Sequence, residues 1–334
     1  MSFDISHKKL DKIFKNSRKK HIAIIGDVML DKYVYGDVNR ISPEAPVQVV
    51  DINKTEYKLG GAANVANNVK TLEAEPILIG VIGDDLEGDI FLETMKKQSL
   101  RADGIFKDVT RPTTSKTRVI AHAQHILRID SEIKQNIIGK IQNNVLSFIK
   151  SNIDDFESVI LQDYNKGVLS KKVINEIIAI CNASNKPILV DPKFDNFFEY
   201  KHVTVFKPNR KEIQDVMGVR IDGEDSSIEI GKKLLEILKC EWLILTRGEK
   251  GMMLFDKEKH KTVVHNIPTR ARNVADVSGA GDTVISTLAV SLCGDATIKE
   301  AIVLANQAAG LVCEEVGIVP IYKTALIDSF KNEK

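Results

Sequence analysis

The chain has 334 residues, of which 43% are hydrophobic, 28% charged and 6% aromatic, which excludes collagen-like, coiled-coil and disordered proteins. This length is sufficient for a large hydrophobic core. Lys and Arg number 47 against 46 Asp and Glu, so the net charge of +1 provides no global field for nucleic acid or for an anionic membrane surface.

The sequence carries neither membrane nor secretion signals. Its apolar runs are all shorter than the roughly 18 residues of a membrane span, and residues 1–20 lack the apolar core of a signal peptide. The four cysteines lie far apart without zinc-ligand spacing and are expected to be buried, reduced thiols. We therefore expect a cytoplasmic protein with no membrane or nucleic-acid partner.

Strand-like and helix-like segments alternate along the chain. A basic leader, residues 1–20, precedes an apolar run at 21–27 that is typical of a buried strand, and similar runs then alternate with helix-length amphipathic segments. Residues 30–51 and 113–130 instead alternate like exposed strands. We therefore expect an α/β domain over residues 21–330, with a doubly wound, mostly parallel sheet, helices on both faces and a small β-sheet lid.

The segment DVSGAGDT, residues 276–283, is the most informative motif. Gly279, Ala280 and Gly281 allow close approach of a ligand, and the apolar period that follows predicts the start of a helix. The N–H groups at a helix start suit a phosphate or an oxyanion, and Asp282 beside them could accept a proton. Asp282 as a helix cap is an equally good interpretation at this point.

A second glycine-rich turn precedes another predicted helix. Gly60, Gly61 and Asn64 in LGGAAN could place backbone and amide groups against a polar ligand, or could serve close packing alone. Asp27 and Asp31 follow the first strand at its carboxyl end, where open α/β sheets bind ligands. They are either acceptors for sugar hydroxyls or turn carboxylates.

Two further segments allow both a structural and a functional interpretation. Asn209 and Glu212 have the spacing of a capping box, and the same oxygens could organise hydrated Mg²⁺ beside a triphosphate. Residues 246–251 form either an ordinary hairpin turn or a loop that faces a nucleotide.

Taken together, GGAANVANN (residues 60–68) and DVSGAGDT resemble the two signature regions of the ribokinase-like carbohydrate kinase family, and the resemblance extends from about residue 21 to 322. It implies the ribokinase-like fold, phosphorylation of a sugar by ATP with Mg²⁺, and a homodimer. Gly317 and Ile318 replace the commoner Gly-Thr, which leaves the use of a monovalent cation open.

The resemblance assigns roles to the residues that match the family motifs. Asp282 corresponds to the catalytic base, and Gly279, Ala280 and Gly281 correspond to the anion hole. The nucleotide-binding positions are Asn209, Arg210, Lys211, Glu212, Thr246, Arg247, Gly248, Gly251 and Asn306, of which Asn209 and Glu212 would hold Mg²⁺ through water. The sugar-contacting positions are Asp31, Gly60, Gly61 and Asn64. Cations for a substrate phosphate are expected among Arg118, Arg128, Lys166 and Lys193.

Longer segments, such as RPTTSKTRVIA at 111–121 and DYNKGVLS at 163–170, are similar to the branch of this family that acts on heptose 7-phosphate. This similarity implies transfer to the anomeric C1 hydroxyl of D-glycero-β-D-manno-heptose 7-phosphate, for ADP-heptose and lipopolysaccharide core synthesis. Many members of the branch carry a fused adenylyltransferase with an H-x-G-H motif that this sequence lacks, so a separate adenylyltransferase is expected. A kinase for another sugar and a non-catalytic sugar-phosphate sensor are the alternatives.

Overall fold

The computed structural model describes residues 5–122, 124–258, 261–270 and 274–331, so residues 1–4 of the predicted leader lie outside it. The strands are β1 (His21–Gly26), β2 (Val28–Ile41), β3 (Gln48–Gly61), β4 (Glu75–Gly83), β5 (Ile105–Asp108), β6 (Ser115–Ala121), β7 (Gln124–Ser131), β8 (Ser158–Gln162), β9 (Ile188–Asp191), β10 (Val205–Phe206), β11 (Trp242–Thr246), β12 (Met252–Glu258) and β13 (Lys261–Ile267). The helices are α1 (His7–Ser17), α2 (Ala62–Thr71), α3 (Leu86–Lys97), α4 (Gly139–Asn152), α5 (Lys171–Ala183), α6 (Arg210–Met217), α7 (Glu224–Leu238), α8 (Ala280–Cys293), α9 (Ile298–Cys313) and α10 (Lys323–Ser329).

Within the described residues, nine strands form the main sheet, in the order β13-β12-β11-β10-β9-β8-β1-β4-β5. The strands from β11 to β5 pair in parallel, while β12 and β13 continue the sheet antiparallel. Alternate β1 residues reach opposite faces: Ile22 and Ile24 join one hydrophobic cluster, and Ala23 and Ile25 join the other. The predicted doubly wound sheet with helices on both faces is confirmed.

The small sheet has the order β3-β2-β6-β7. Its outer pairs, β2 with β3 and β6 with β7, are antiparallel, whereas β2 and β6 are parallel. Pairing of Val28 with Gly61 and of Met29 with Gly60 extends β3 to Gly61, ten residues beyond the predicted boundary at residue 51. The two glycines therefore end a strand, and the helix α2 begins directly after them.

The N-terminal segment contributes to the core. Leu10, Ile13 and Phe14 of α1 are fully or almost fully buried in the cluster that also contains α8. Their spacing places them on one helix face, and burial of that face stabilises α1 against the domain. The described part of the predicted leader thus packs against the domain through α1.

Two predictions from composition can also be compared with the structure. The four cysteines are free and buried, and burial raises the pKa values of Cys181 and Cys240 to about 12, which keeps their thiols protonated and unreactive. Across the described part of the chain, every helix is too short or too polar to cross a bilayer.

Candidate active site

The helix α8 sets the geometry of the site. Gly279 caps it with a backbone φ of +82°, a left-handed conformation that glycine adopts without the cost of a Cβ. From Val284 onward the helix is almost entirely buried in the core, which fixes its position. Its first turn therefore presents Ala280, Gly281 and Asp282 at a fixed point beside the carboxyl ends of the central strands.

The Asp282 carboxylate is held by side chains from other parts of the fold. The Asn64 amide on α2 donates to Oδ2 at 2.7 Å, the Tyr164 hydroxyl donates to Oδ1 at 2.8 Å, and Gln162 Nε2 donates to Oδ1 at 3.2 Å. Burial raises the pKa of Asp282 to about 6, although the bonds from Asn64 and Tyr164 lower it. These bonds favour an oriented carboxylate over the helix-cap interpretation, because Gly279 is the cap.

A buried ion pair lies next to this carboxylate. Lys207 Nζ is 2.9 Å from Asp191 Oδ1, and Gln162 Nε2 donates to Asp191 Oδ2 at 3.1 Å, so the amide of Gln162 links both carboxylates. Asp191 raises the pKa of Asp282 and Lys207 lowers it. Sequence reasoning missed Asp191 and Lys207, although their places at the ends of β9 and β10 were the signal that could have found them.

A cavity of about 750 Å³ opens in front of Asp282. The sequence predicted its lining in large part, since every predicted catalytic and nucleotide-binding position contributes to it. These residues are Gly279, Ala280, Gly281, Asp282, Asn209, Arg210, Lys211, Glu212, Thr246, Arg247, Gly248, Gly251 and Asn306. Lys193 and Lys207 add cationic groups to the same wall. The volume falls in the range that small-molecule sites occupy.

At the start of α6, Asn209 and Glu212 form a reciprocal capping box, with each side chain accepting the other's backbone N–H at 2.8 Å. Lys193 Nζ also bonds to Glu212 Oε1. Direct coordination of a metal would compete with these bonds, whereas a hydrated ion could be reached through the remaining lone pairs. The oxygen donors thus fit hydrated Mg²⁺ and serve the helix at the same time.

Residues 246–251 are both a hairpin turn and part of the cavity wall. They connect the antiparallel strands β11 and β12, and Arg247 donates to Asn266 at 2.8 Å and to the Lys250 carbonyl at 2.9 Å. A Cβ on Gly251 would lie 2.1 Å from the carbonyl oxygen of Ile267, so a larger residue is excluded there. The structural and functional interpretations of this loop are therefore compatible.

The predicted sugar-contacting residues lie where the small sheet meets α2. Asp31 on β2 is 1% exposed and forms an ion pair with Arg118 on β6. A Cβ on residue 60 would lie 2.2 Å from Asp31 Oδ2, so a side chain larger than that of glycine would displace this carboxylate. Asn64, on the first turns of α2, connects this region to Asp282.

The predicted phosphate-binding cations divide between the small sheet and the cavity, and Arg118 on β6 is the register partner of Arg128 on β7. Arg128 is exposed and pairs with Asp130 at 2.8 Å, and Lys166 pairs with Glu132 at 2.7 Å, both outside the lining of the cavity. Lys193 lines the cavity on the side of Glu212.

Asp27, considered as an acceptor for sugar hydroxyls, is instead buried. Its carboxylate accepts backbone N–H groups from Tyr164, Lys166 and Val168.

The chain belongs to the pfkB family of carbohydrate kinases, whose pattern it matches over residues 19–324. It is 41% identical over 325 residues to the bifunctional protein HldE of Desulfatibacillum aliphaticivorans, covering 97% of this chain and 64% of that protein. It is also 41% identical over 298 residues to the bifunctional protein HldE of Helicobacter pylori strain J99, covering 89% and 64%. The chain thus spans slightly less than two thirds of the length of these relatives.

Solved structures confirm the ribokinase-like fold. Arabidopsis thaliana ribokinase complexed with ribose and ATP superposes with a TM-score of 0.73 at 17% identity, covering 94% of this chain and 99% of that one. Phosphofructokinase-2 from Escherichia coli in complex with fructose-6-phosphate gives a TM-score of 0.73 at 13% identity, covering 94% and 100%. At such low sequence identity, these structures show only that the fold is shared. The family match identifies the chain as a sugar kinase.

Proposed function

We propose that this sugar kinase transfers the γ-phosphoryl group of ATP to the anomeric C1 hydroxyl of D-glycero-β-D-manno-heptose 7-phosphate, giving the 1,7-bisphosphate. The observation that carries the proposal is the position of Asp282, whose oriented carboxylate faces the cavity beside the glycine-capped start of α8. The choice of acceptor is supported by the motif resemblance and by about 40% identity to the HldE proteins.

In the proposed reaction, the oxygen of the C1 hydroxyl forms a bond to the γ-phosphorus of ATP, and the Asp282 carboxylate accepts the proton of that hydroxyl. The bond from that phosphorus to the β–γ bridging oxygen breaks, and ADP leaves. The backbone N–H groups of residues 279–281 donate to the phosphoryl oxygens while their charge develops, which stabilises the transition state. Burial of Asp282 places its pKa at about 6, so it is largely ionised and able to accept a proton at neutral pH.

The cavity lining gives the other groups their proposed roles. The residues that would contact the nucleotide are Thr246, Arg247, Gly248, Gly251 and Asn306. Asn209 and Glu212 would hold Mg²⁺ through water, where the ion would supply neutralisation of phosphate charge. A monovalent cation stays a prediction for this chain.

The small sheet is proposed to hold the acceptor. Asp31 and Asn64 offer hydrogen-bonding groups to the sugar hydroxyls beside Gly60 and Gly61, and Arg118 is the nearest of the predicted phosphate-binding cations to this region. Closure of the sheet over the sugar would exclude water and so limit hydrolysis of ATP.

The same sheet supports the proposed homodimer. Ile52, Leu127 and Ile129 on its strands are each more than half exposed, and pairing with a second copy would cover them. Sedimentation analysis of the protein with Leu127→Lys, compared with the native protein, tests this pairing. The separate adenylyltransferase and the cytoplasmic location stay predictions.

The substrate is tested by measuring ADP release from Mg·ATP with the heptose 7-phosphate, ribose, fructose 1-phosphate, fructose 6-phosphate or no acceptor. We expect strong release only with the heptose phosphate, and phosphorus NMR of the product should show a new phosphate ester at C1. ADP release with another acceptor would identify that acceptor as the substrate in place of the heptose 7-phosphate. No ADP release from folded protein would favour a non-catalytic sensor.

A further inference from the structure

The loop between β8 and α5 carries the segment DYNKGVLS, residues 163–170, to which the proposed reaction gives no role. Asp27 fixes the backbone of this loop, because its buried carboxylate accepts N–H groups from Tyr164 at 2.8 Å, Lys166 at 2.9 Å and Val168 at 3.1 Å. Two of these bonds converge on Oδ2 of Asp27. Asp27, which directly follows β1, therefore holds the backbone of this loop in one conformation.

Asp163 holds the same loop from a second direction. Its carboxylate accepts the Asn165 N–H at 2.8 Å and the Tyr200 hydroxyl at 2.6 Å. Asp163 and Tyr200 are buried, so both bonds lie away from water. Between these two carboxylates the backbone of Tyr164 has little freedom.

The fixed loop directs Tyr164 into the active site. Its hydroxyl donates to Asp282 Oδ1 at 2.8 Å, opposite the Asn64 amide, which donates to Oδ2 at 2.7 Å. Lys193 Nζ lies 5.5 Å from the centre of the tyrosine ring, which restrains the ring from its other side. The side chain thus contacts the carboxylate that the proposed function makes the base.

We propose that Tyr164 is a positioning residue that orients the Asp282 carboxylate and stabilises its ionised form. This inference rests on the proposed function of Asp282. A phenol that donates to a carboxylate favours the charged form, and the rigid loop fixes the direction of that bond. The acceptor hydroxyl then meets a carboxylate of defined orientation, which is a requirement for efficient proton transfer.

The groups that face Asp282 come from several elements. They are Tyr164 from the β8–α5 loop, Asp191 at the end of β9, Lys193 after β9 and Lys207 after β10. Asp191 favours the protonated form of Asp282, while Lys207 and the Tyr164 bond favour the ionised form. Removing the hydroxyl of Tyr164 alone should therefore raise the pKa of Asp282.

The test uses Tyr164→Phe in the full chain, with Tyr35→Phe on β2 as the matched control. Each variant removes one tyrosine hydroxyl from a carboxylate, that of Asp282 or that of Glu56, and Tyr35 contacts neither Asp282 nor the carboxylates that fix the β8–α5 loop. Phenylalanine keeps the ring beside Lys193, so we expect the fold to be retained. NMR titration of isotope-labelled aspartate carboxyl carbons, assigned with Asp282→Asn, follows the carboxylate without any substrate.

We expect Tyr164→Phe to raise the titration midpoint of Asp282 by about one pH unit and to lower kcat about tenfold, with the KM for ATP nearly unchanged. The acid limb of kcat should move upward by the same interval, while Tyr35→Phe leaves both midpoints at their native values. An unchanged Asp282 midpoint in Tyr164→Phe, or an equal shift in Tyr35→Phe, would overturn the inference. If every acceptor fails, the proposed function fails, and the titration alone decides the role of Tyr164.

Discussion

Two helices begin at the edge of the same cavity, and their first turns differ. The helix α6 is closed by its own side chains, because Asn209 and Glu212 exchange hydrogen bonds in a capping box. The helix α8 begins after Gly279 without a side-chain cap among the described residues, and its first residues, Ala280 and Gly281, line the cavity. The comparison teaches that a helix start serves an incoming anion where small residues leave the donors accessible.

The largest expected effect comes from removing the base at the α8 start. In Asp282→Asn, turnover should fall about 10³-fold, because an amide cannot accept the acceptor's proton. ATP affinity, measured by calorimetry, should stay within about twofold, since the rest of the cavity wall is unchanged. Turnover within tenfold of the native value would contradict the role of Asp282.

Gly279→Ala tests whether the cap must be small. The added Cβ would lie 3.2 Å from Asn64 Nδ2, and alanine would have to adopt a φ of +82°. We expect turnover to fall on the order of 10²-fold, because Asn64 shifts relative to Asp282.

Gly218→Ala at the end of α6 is the matched control. It has a φ of +62° and no atom within 4 Å of the added Cβ, so it carries similar backbone strain away from the site. Both variants should lose roughly 1 kcal/mol of unfolding free energy. An equal loss of turnover in both would assign the effect to strain alone.

Asn209→Ala tests the role of the capping box at the start of α6. Loss of the cap should cost about 1 kcal/mol of unfolding free energy. The variant should also raise the KM for Mg·ATP about tenfold. Asn209 is proposed to hold Mg²⁺ through water, and the hydrogen bonds that it would make to this charged, hydrated ion are lost.

Thr297→Ala removes the corresponding cap of α9, which also has a capping box. Its stability loss should match that of Asn209→Ala, with the KM for Mg·ATP unchanged. A native KM in Asn209→Ala would leave α6 with a structural role only.

The smallest effect is the response of native turnover to pH. Burial raises the pKa of Asp282 to about 6, so the base becomes protonated as the pH falls through that value. Near pH 6, kcat should be about half of its value at pH 8. The residual turnover of Asp282→Asn should lack this acid limb, and an acid limb in that variant would assign the titration to another group.

Local patterns in the sequence carry much of the fold. Alternating apolar runs predict the parallel sheet, and the small residues before Val284 predict the turn and helix that define the site. These features depend on neighbours in the chain, which is why sequence reasoning reaches them.

The contacts around Asp282 depend instead on packing between distant segments. Gln162 and Tyr164 lie at the end of β8, Asp191 ends β9 and Lys207 follows β10, and only the strand order brings these three strand ends to one point. The extension of β3 to Gly61 likewise depends on its partner β2. Such positions follow from tertiary structure and not from local propensity.

The most direct test of the account is the crystal structure of the protein with Mg·ADP, tetrafluoroaluminate and the heptose 7-phosphate. We predict that the fluoroaluminate contacts the backbone N–H groups of residues 279–281 and that the C1 oxygen lies within hydrogen-bond distance of the Asp282 carboxylate. A fluoroaluminate seated at the start of α6, or a C1 oxygen directed away from Asp282, would contradict the account.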